Sequence, residues 1–220
     1  MTREIQAITK PLALFGGTFD PVHYAHLRCA DEAREKLGLE TLYLLPTGSP
    51  PHRTPPQATN AQRLEMLQLA LAEFPRLQID CRELRRDGPS YMVDTLTDLH
   101  QESPPRVLLL LIGQDAANHL QSWHRWQELF ELAHIVIMTR SGVAADYRSE
   151  LAQQIQQRSC TDVQTMIRSE AGGVLTLEVA AIDICATTIK CMIRRGRSPQ
   201  AMLPPPVLDY IHAQGLYLPQ

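Results

Sequence analysis

The segment Leu12-Ala13-Leu14-Phe15-Gly16-Gly17-Thr18-Phe19-Asp20-Pro21-Val22-His23-Tyr24-Ala25-His26 decides how this 220-residue chain is read. Leu12–Phe15 is an apolar run too short for a buried helix and closed by a glycine pair, the pattern of a buried strand. The stretch that follows predicts a helix running to about Leu37. Between strand and helix, Gly16 and Gly17 let backbone N–H groups approach a ligand closely, and the helix start adds orphan donors and the positive end of a dipole. Such a junction suits an anion, most simply a phosphate. Its spacing is neither the dinucleotide-binding GxGxxG nor a Walker A loop. His23 and His26 stand three residues apart, so a first helical turn sends both from one face toward the loop. There, imidazolium or neutral N–H donors would stabilise charge on a transferring phosphoryl group. For an isolated HxxH, two partly exposed histidines at a helix start is the better reading; the glycine pair after a strand reverses that preference.

Beyond this junction, Thr41–Leu45, Leu77–Ile79, Val107–Ile112, His134–Met138 and Val174–Val179 are further short apolar runs, separated by helix-length amphipathic stretches. The alternation predicts an α/β fold, a doubly wound parallel sheet with helices on both faces and right-handed crossovers. Ligands then bind beyond the carboxyl ends of the strands. Two stretches interrupt the pattern. Pro46–Asn60 (PTGSPPHRTPPQATN) holds five of the 16 prolines, which forbids helix and central strand and leaves a stiff loop, either a binding loop over the site or a surface crossover. Ser141–Gly173 is polar and glutamine-rich, a helix plus a loosely held connection. Pro204, Pro205 and Pro206 open a last helix, Val207–Gln214, that stops at Gly215. Residues 1–220 therefore form one domain with a helical carboxyl-terminal portion from about residue 185.

With 21 basic and 24 acidic residues the formal net charge is −3, which argues against a broad basic surface for nucleic acid. The longest apolar run, Val107–Ile112, is too short to span a bilayer, and the amino terminus lacks a signal-peptide core. Five scattered cysteines form neither a CxxC pair nor a disulfide framework, so the expectation is a soluble protein of the reducing cytoplasm.

Near the carboxyl end, Ile189, Met192 and Ile193 fall on one face of a helix from Thr187 to Arg195, and Thr187, Lys190 and Arg194 share another stripe. Thr187 or Thr188 is expected to cap it, leaving N–H groups for a phosphate with Lys190 beside them. An ordinary solvated face is the plainer alternative; a second anion site is required if the first is real.

Taken together, GGTFDPVHYAH, Pro50-Pro51-His52-Arg53, Ser90-Tyr91, Thr95-Leu96, Ile112-Gly113-Gln114-Asp115, Trp123, Ala186-Thr187-Thr188-Ile189-Lys190 and the Leu203–Val207 and Gly215–Tyr217 ending resemble the nucleotidyltransferases related to class I aminoacyl-tRNA synthetases. Within them, nearly the whole chain is similar to the bacterial nicotinate-nucleotide adenylyltransferases. The resemblance implies a Rossmann-like nucleotidyltransferase fold and transfer of AMP from ATP to nicotinate mononucleotide, giving nicotinate adenine dinucleotide and pyrophosphate, a step of NAD biosynthesis. His23, His26 and Lys190 are then the catalytic groups. ATP is met by Gly16, Gly17, Thr18, Phe19, His23, His26, Gly113, Asp115, Arg140, Thr187 and Lys190, with Asp115 at the ribose and Arg140 on the adenine or phosphate side. Nicotinate mononucleotide is met by Thr47, His52, Arg53, Tyr91, Thr95 and Trp123, the indole stacking on the pyridine ring; partial core packing is the other reading of Trp123. Trp126 is expected in the core. Mg2+ is implied as a cofactor bound through ATP phosphates and water, with no side chain nominated as its ligand. ATP and nicotinate mononucleotide are the implied partners, with no nucleic acid or membrane, and assembly into a homo-oligomer is left open.

Three departures from the family pattern matter. Ala25 replaces glycine of HxGH, Thr47 beside Gly48 replaces a common asparagine, and Cys185 and Lys190 replace serine and arginine of Ser-x-Thr-x-Ile-Arg. Lysine keeps the charge and loses the bidentate fork. Two rivals follow: a phosphopantetheine adenylyltransferase, against which the proline loop and Trp123 speak, and a nucleotide sensor that binds without transferring.

Overall fold

Six parallel strands, β1 (Leu12–Gly17), β2 (Leu42–Pro46), β3 (Leu77–Ile79), β4 (Leu108–Gly113), β5 (His134–Thr139) and β6 (Val174–Glu178), form one sheet in the order β3-β2-β1-β4-β5-β6. The computed structural model describes residues 10–48, 55–102, 106–140, 142 and 144–219. The strand order reverses between β1 and β4, and this switch point opens a crevice at the carboxyl ends of those two strands. The doubly wound parallel sheet expected from the alternation is the one observed.

Burial explains why these segments are strands. Leu108, Leu109, Leu110 and Leu111 of β4 are each no more than 1% exposed, alternating between the two sheet faces. Burying each contributes about 2 kcal/mol, so a charge at any of them would open the centre of the sheet. One face carries α1 (Tyr24–Lys36), α2 (Asn60–Ala70), α8 (Ala186–Arg194) and α9 (Pro205–Ala213), whose Leu27, Met66, Ile189 and Val207 pack with Phe15 and Leu109. The other carries α3 (Met92–Gln101), α4 (Gln114–Asn118) and α5 (Leu129–Leu132), whose Leu96, Ala117 and Phe130 pack with Leu14 and Leu110. The polar stretch after β5 holds α6 (Ser149–Gln157) and α7 (Val163–Met166).

Strand ends differ from the expectation by one or two residues. β1 runs through the glycine pair to Gly17, which pairs with Pro46, so Pro46 closes β2 instead of opening the loop. As the last residue of its strand, Pro46 needs no ladder N–H of its own. The loop then ends in a capping box: Thr59 accepts from Gln62 N–H while the Gln62 side chain accepts from Thr59 N–H, and α2 starts there.

Candidate active site

The β1–α1 junction is built tightly. A Cβ on Gly17 would lie 2.8 Å from the Phe19 ring, so the glycine pair keeps the loop close to that ring. Phe19 has φ +48°, a left-handed conformation costly for an aromatic residue, and its ring meets His26 edge-on at 5.0 Å. His23 is the extended residue before α1, and its ring stacks on His26 at 3.7 Å with a 20° tilt. Burial, then the charge of Arg140, pushes His23 down to about 4. Burial, then His23 and Arg140, holds His26 well below the ordinary imidazole range. Of the two options open from sequence, neutral N–H donation is therefore the one available at pH 7; two stacked imidazolium rings are not. Each ring keeps a buried Nδ1 without a hydrogen-bond partner among the described residues. Ala25, in the position of the family glycine, is helical and buried, so the added methyl is accommodated in α1.

The same crevice is lined by α8. Its N-cap is Cys185, not Thr187 or Thr188, because Cys185 already adopts the extended conformation (φ −137°, ψ 152°) and the helix begins at Ala186. The Cys185 Sγ lies 3.2 Å from the Thr188 hydroxyl, a contact that, ahead of nearby backbone N–H groups, lowers the thiol. Ile189 and Ile193 face the core, and Thr187, Lys190 and Arg194 face the crevice as the stripe predicts. Lys190, expected from sequence to serve the outer phosphates, is held by a carboxylate that the sequence reading did not name. Its Nζ is 2.5 Å from Asp20 Oδ2. Burial acts to raise the Asp20 carboxyl, but hydrogen bonds from Lys190, Tyr217 and the Gln57 N–H outweigh it and hold the group below its ordinary value.

Gly113 closes β4, Asp115 follows in α4, Arg140 follows β5, and the last two form an exposed ion pair at 2.9 Å. On the β2 side, Thr47 donates from its N–H and hydroxyl to the Gly17 carbonyl at 2.9 and 3.3 Å, locking the ends of β1 and β2 together. Tyr91 at the start of α3 meets His124 at 4.3 Å between ring centroids with a 35° tilt, and Trp123 lines the same crevice. Trp123 also packs partly against the core, and Trp126 lies in the core as expected. Thr95 is a correction: it is fully buried in α3, donates to Glu83 Oε1 at 2.8 Å, and stands outside the crevice. A hydroxyl on the inward face of an amphipathic helix reaches Glu83, and Glu83 reaches the crevice in its place. His52 and Arg53 lie outside the described residues.

The crevice measures about 1150 Å³ and takes in both histidines, Thr187, Lys190, Asp115, Arg140, Thr47, Tyr91 and Trp123. That exceeds the ~300–1,000 Å³ of most small-ligand pockets and leaves room for two nucleotides side by side. Several of its features have no signature in the sequence. Arg63 of α2 is fully buried and donates to the carbonyls of Thr18 and Thr47, both at 2.7 Å, fastening the glycine loop to the end of β2. Glu83, raised by burial, and His124 also line the crevice. Gly48 marks a close approach, since a Cβ there would lie 2.2 Å from the Glu83 carbonyl oxygen. Only that glycine was visible in the sequence, as a neighbour of Thr47.

Comparison with known proteins agrees with this construction. The model of the family described as cytidylyltransferase-like matches residues 14–189. A protein of Acidithiobacillus ferrooxidans named "Probable nicotinate-nucleotide adenylyltransferase" is 43% identical over 94% of this chain and 95% of its own. One of the same name from Methylococcus capsulatus is 45% identical over 94% of this chain and 99% of its own. The solved structure of Plasmodium falciparum nicotinic acid mononucleotide adenylyltransferase complexed with NaAD shares the fold, with a TM-score of 0.73 over 95% of this chain and 98% of that one at 14% identity. The chain belongs to the cytidylyltransferase-like family and, within it, to the nicotinate-nucleotide adenylyltransferases.

Proposed function

We propose that the protein transfers the adenylyl group of ATP to nicotinate mononucleotide, giving nicotinate adenine dinucleotide and pyrophosphate. One observation carries the reading: the histidine pair of the β1–α1 junction and the Thr187–Lys190–Arg194 stripe of α8 line one crevice at the sheet's switch point. A polyphosphate in that crevice meets both N–H donors and cations. The phosphate of the mononucleotide attacks the α-phosphorus in line and pyrophosphate departs, with no covalent enzyme intermediate. The attacking oxygen is already ionised, so no strong base is required; positioning and charge stabilisation supply the rate. His23 and His26 serve the α- and β-phosphates, and Thr187 and Lys190 the outer ones. In this reading Gly113, Asp115 and Arg140 serve the adenosine end, and Thr47, Tyr91 and Trp123 the mononucleotide.

Mg2+ belongs to the proposal as a partner of ATP. Among the described residues no group of three or more His, Cys, Asp or Glu side chains is arranged to hold a metal. In the proposal the ion keeps its waters and is carried by phosphate oxygens, with no side chain nominated as its ligand. Bound there, it would neutralise polyphosphate charge alongside Lys190. The reading places the enzyme in the cytoplasm; no helix among the described residues is long and apolar enough to cross a membrane, and all five cysteines are free.

Pyrophosphate release measured with nicotinate mononucleotide, its amide analogue and phosphopantetheine tests this. Release that is fastest with the acid mononucleotide is the expected result. Release only with phosphopantetheine assigns the chain to that reaction, and ATP binding without release from any acceptor assigns it to nucleotide sensing.

A further inference from the structure

Asp20 is the most heavily bonded carboxylate among the described residues. Its Oδ1 accepts from the Tyr217 hydroxyl at 2.7 Å and the Ala58 N–H at 3.1 Å. Its Oδ2 accepts from Lys190 Nζ at 2.5 Å and the Gln57 N–H at 3.0 Å. Four segments meet on one buried side chain: the β1–α1 junction, the end of the proline-rich stretch, α8, and the carboxyl-terminal tail. The tail is brought there by the way α9 ends. Gly215 takes φ +60°, its N–H bonds the His212 carbonyl and the Leu216 N–H bonds the Ile211 carbonyl, which is a Schellman turn. The reversal carries Tyr217 inward, where it is 6% exposed.

Asp20 and Lys190 line the crevice and Tyr217 does not. The tyrosine therefore cannot touch a nucleotide there, yet it controls the group that holds the lysine. A lysine ammonium is a compact charge on a flexible stem with three donors. Here one donor is spent on Asp20, the Nζ sits 5.3 Å from the centroid of the Tyr217 ring, and the remaining donors are left for other partners. Without the hydroxyl and the two N–H groups, an undiluted carboxylate would draw the ammonium to itself and compete with any polyphosphate. Burial and the neighbouring Asp20 charge push the Tyr217 hydroxyl above its ordinary value, so it remains a donor.

We propose that Tyr217, acting through the Asp20 carboxylate, is a positioning residue for Lys190: the carboxyl-terminal tail sets where the lysine's charge stands and how much of it is offered to the polyphosphate. The proposal rests on the adenylyl-transfer reading for the role of Lys190.

The test is a double-mutant cycle on the full chain with Tyr217→Phe, which keeps the ring and removes only the hydroxyl, and Lys190→Met. Turnover and KM for ATP are measured by pyrophosphate release, with thermal melting alongside. Tyr217→Phe is expected to lower kcat about 10-fold with KM changed no more than about threefold, and to change kcat less than about twofold in the Lys190→Met background. An equal fold-loss in both backgrounds overturns the proposal, as does a lowered melting temperature with kcat unchanged. Calorimetric binding of inorganic pyrophosphate to the same four proteins separates the two readings. If the wild type transfers to no acceptor, the substrate assignment fails, and positioning still stands when Tyr217→Phe weakens pyrophosphate about threefold with Lys190 present and not with Met there. Additive losses in that cycle sink it.

Discussion

The two flanks of the crevice differ in burial and charge. At the β1–α1 flank the polar groups are stacked imidazoles, His23 4% exposed and neutral, with Arg63 buried behind the loop. At the α8 flank Thr187 and Arg194 are exposed and Lys190 is partly so, its charge shared with Asp20. A neutral donor fixed in a low-dielectric wall needs no counter-ion and does not reorganise when charge develops in front of it. An exposed cation attracts anions from a distance, but salt screens it. On the adenylyl-transfer reading, the difference assigns stabilisation of the chemical step to the histidines and the Asp20-held Lys190, and long-range capture of the polyphosphate to the exposed Arg194 of α8.

The largest effect expected from this division is at His26. His26→Ala should cut turnover by roughly 100-fold or more while ATP affinity changes far less, because a donor aimed at developing charge matters more in the transition state than in the ground state. Single-turnover rates and ATP binding on the same preparation check it. Equal losses in both would move the histidines into ground-state binding and erase the contrast with α8.

The second effect is acid lability. His23 is held at about 4 in the fold against an ordinary value near 6.5, so the unfolded chain binds the extra proton first as pH falls. The stability contributed by the neutral ring is complete above about pH 6.5 and is lost as pH drops toward 4, about 2 kcal/mol of it by pH 5. His26 and the buried His134 push in the same direction. Urea midpoints between pH 7 and 5 should fall steeply for the wild type and less steeply for His23→Gln. Identical slopes would show that the pair does not titrate as a buried unit.

What the sequence made legible follows from locality. Strand, glycine pair and helix start lie within fifteen consecutive residues, and the α8 stripe within eight, so periodicity places both flanks. The switch-point crevice then follows from topology. The side chains that join the flanks escape such reading because their partners are remote: Lys190 lies 170 positions and Tyr217 197 positions from Asp20. Arg63 looks like any polar helix residue until the carbonyls of Thr18 and Thr47 are folded against it. Thr95 shows the opposite error. Its motif is real, but its hydroxyl faces inward and supports Glu83, a distinction that depends on which way α3 is rolled against the sheet. Threonine is the stronger N-cap former, yet the backbone turns two residues before Thr187, at Cys185.

The smallest effect is the most specific to the comparison. Arg194 lies on the exposed flank, lines the crevice, and among the described residues has only a long hydrogen bond of 3.4 Å to the Gln57 side chain. If α8 acts by attracting charge through solvent, Arg194→Ala should raise KM for ATP about threefold at low ionic strength and leave kcat nearly unchanged, an effect of the size of exposed charge pairs. At about 1 M salt, where the screening length is ~3 Å, wild type and variant should converge. His26→Ala should show no such convergence, since its loss arises in a wall that ions do not enter. Kinetics of both variants across a salt series therefore test the two flanks in one measurement: convergence for Arg194 alone supports the division, and parallel salt responses would mean that both flanks work by the same long-range attraction.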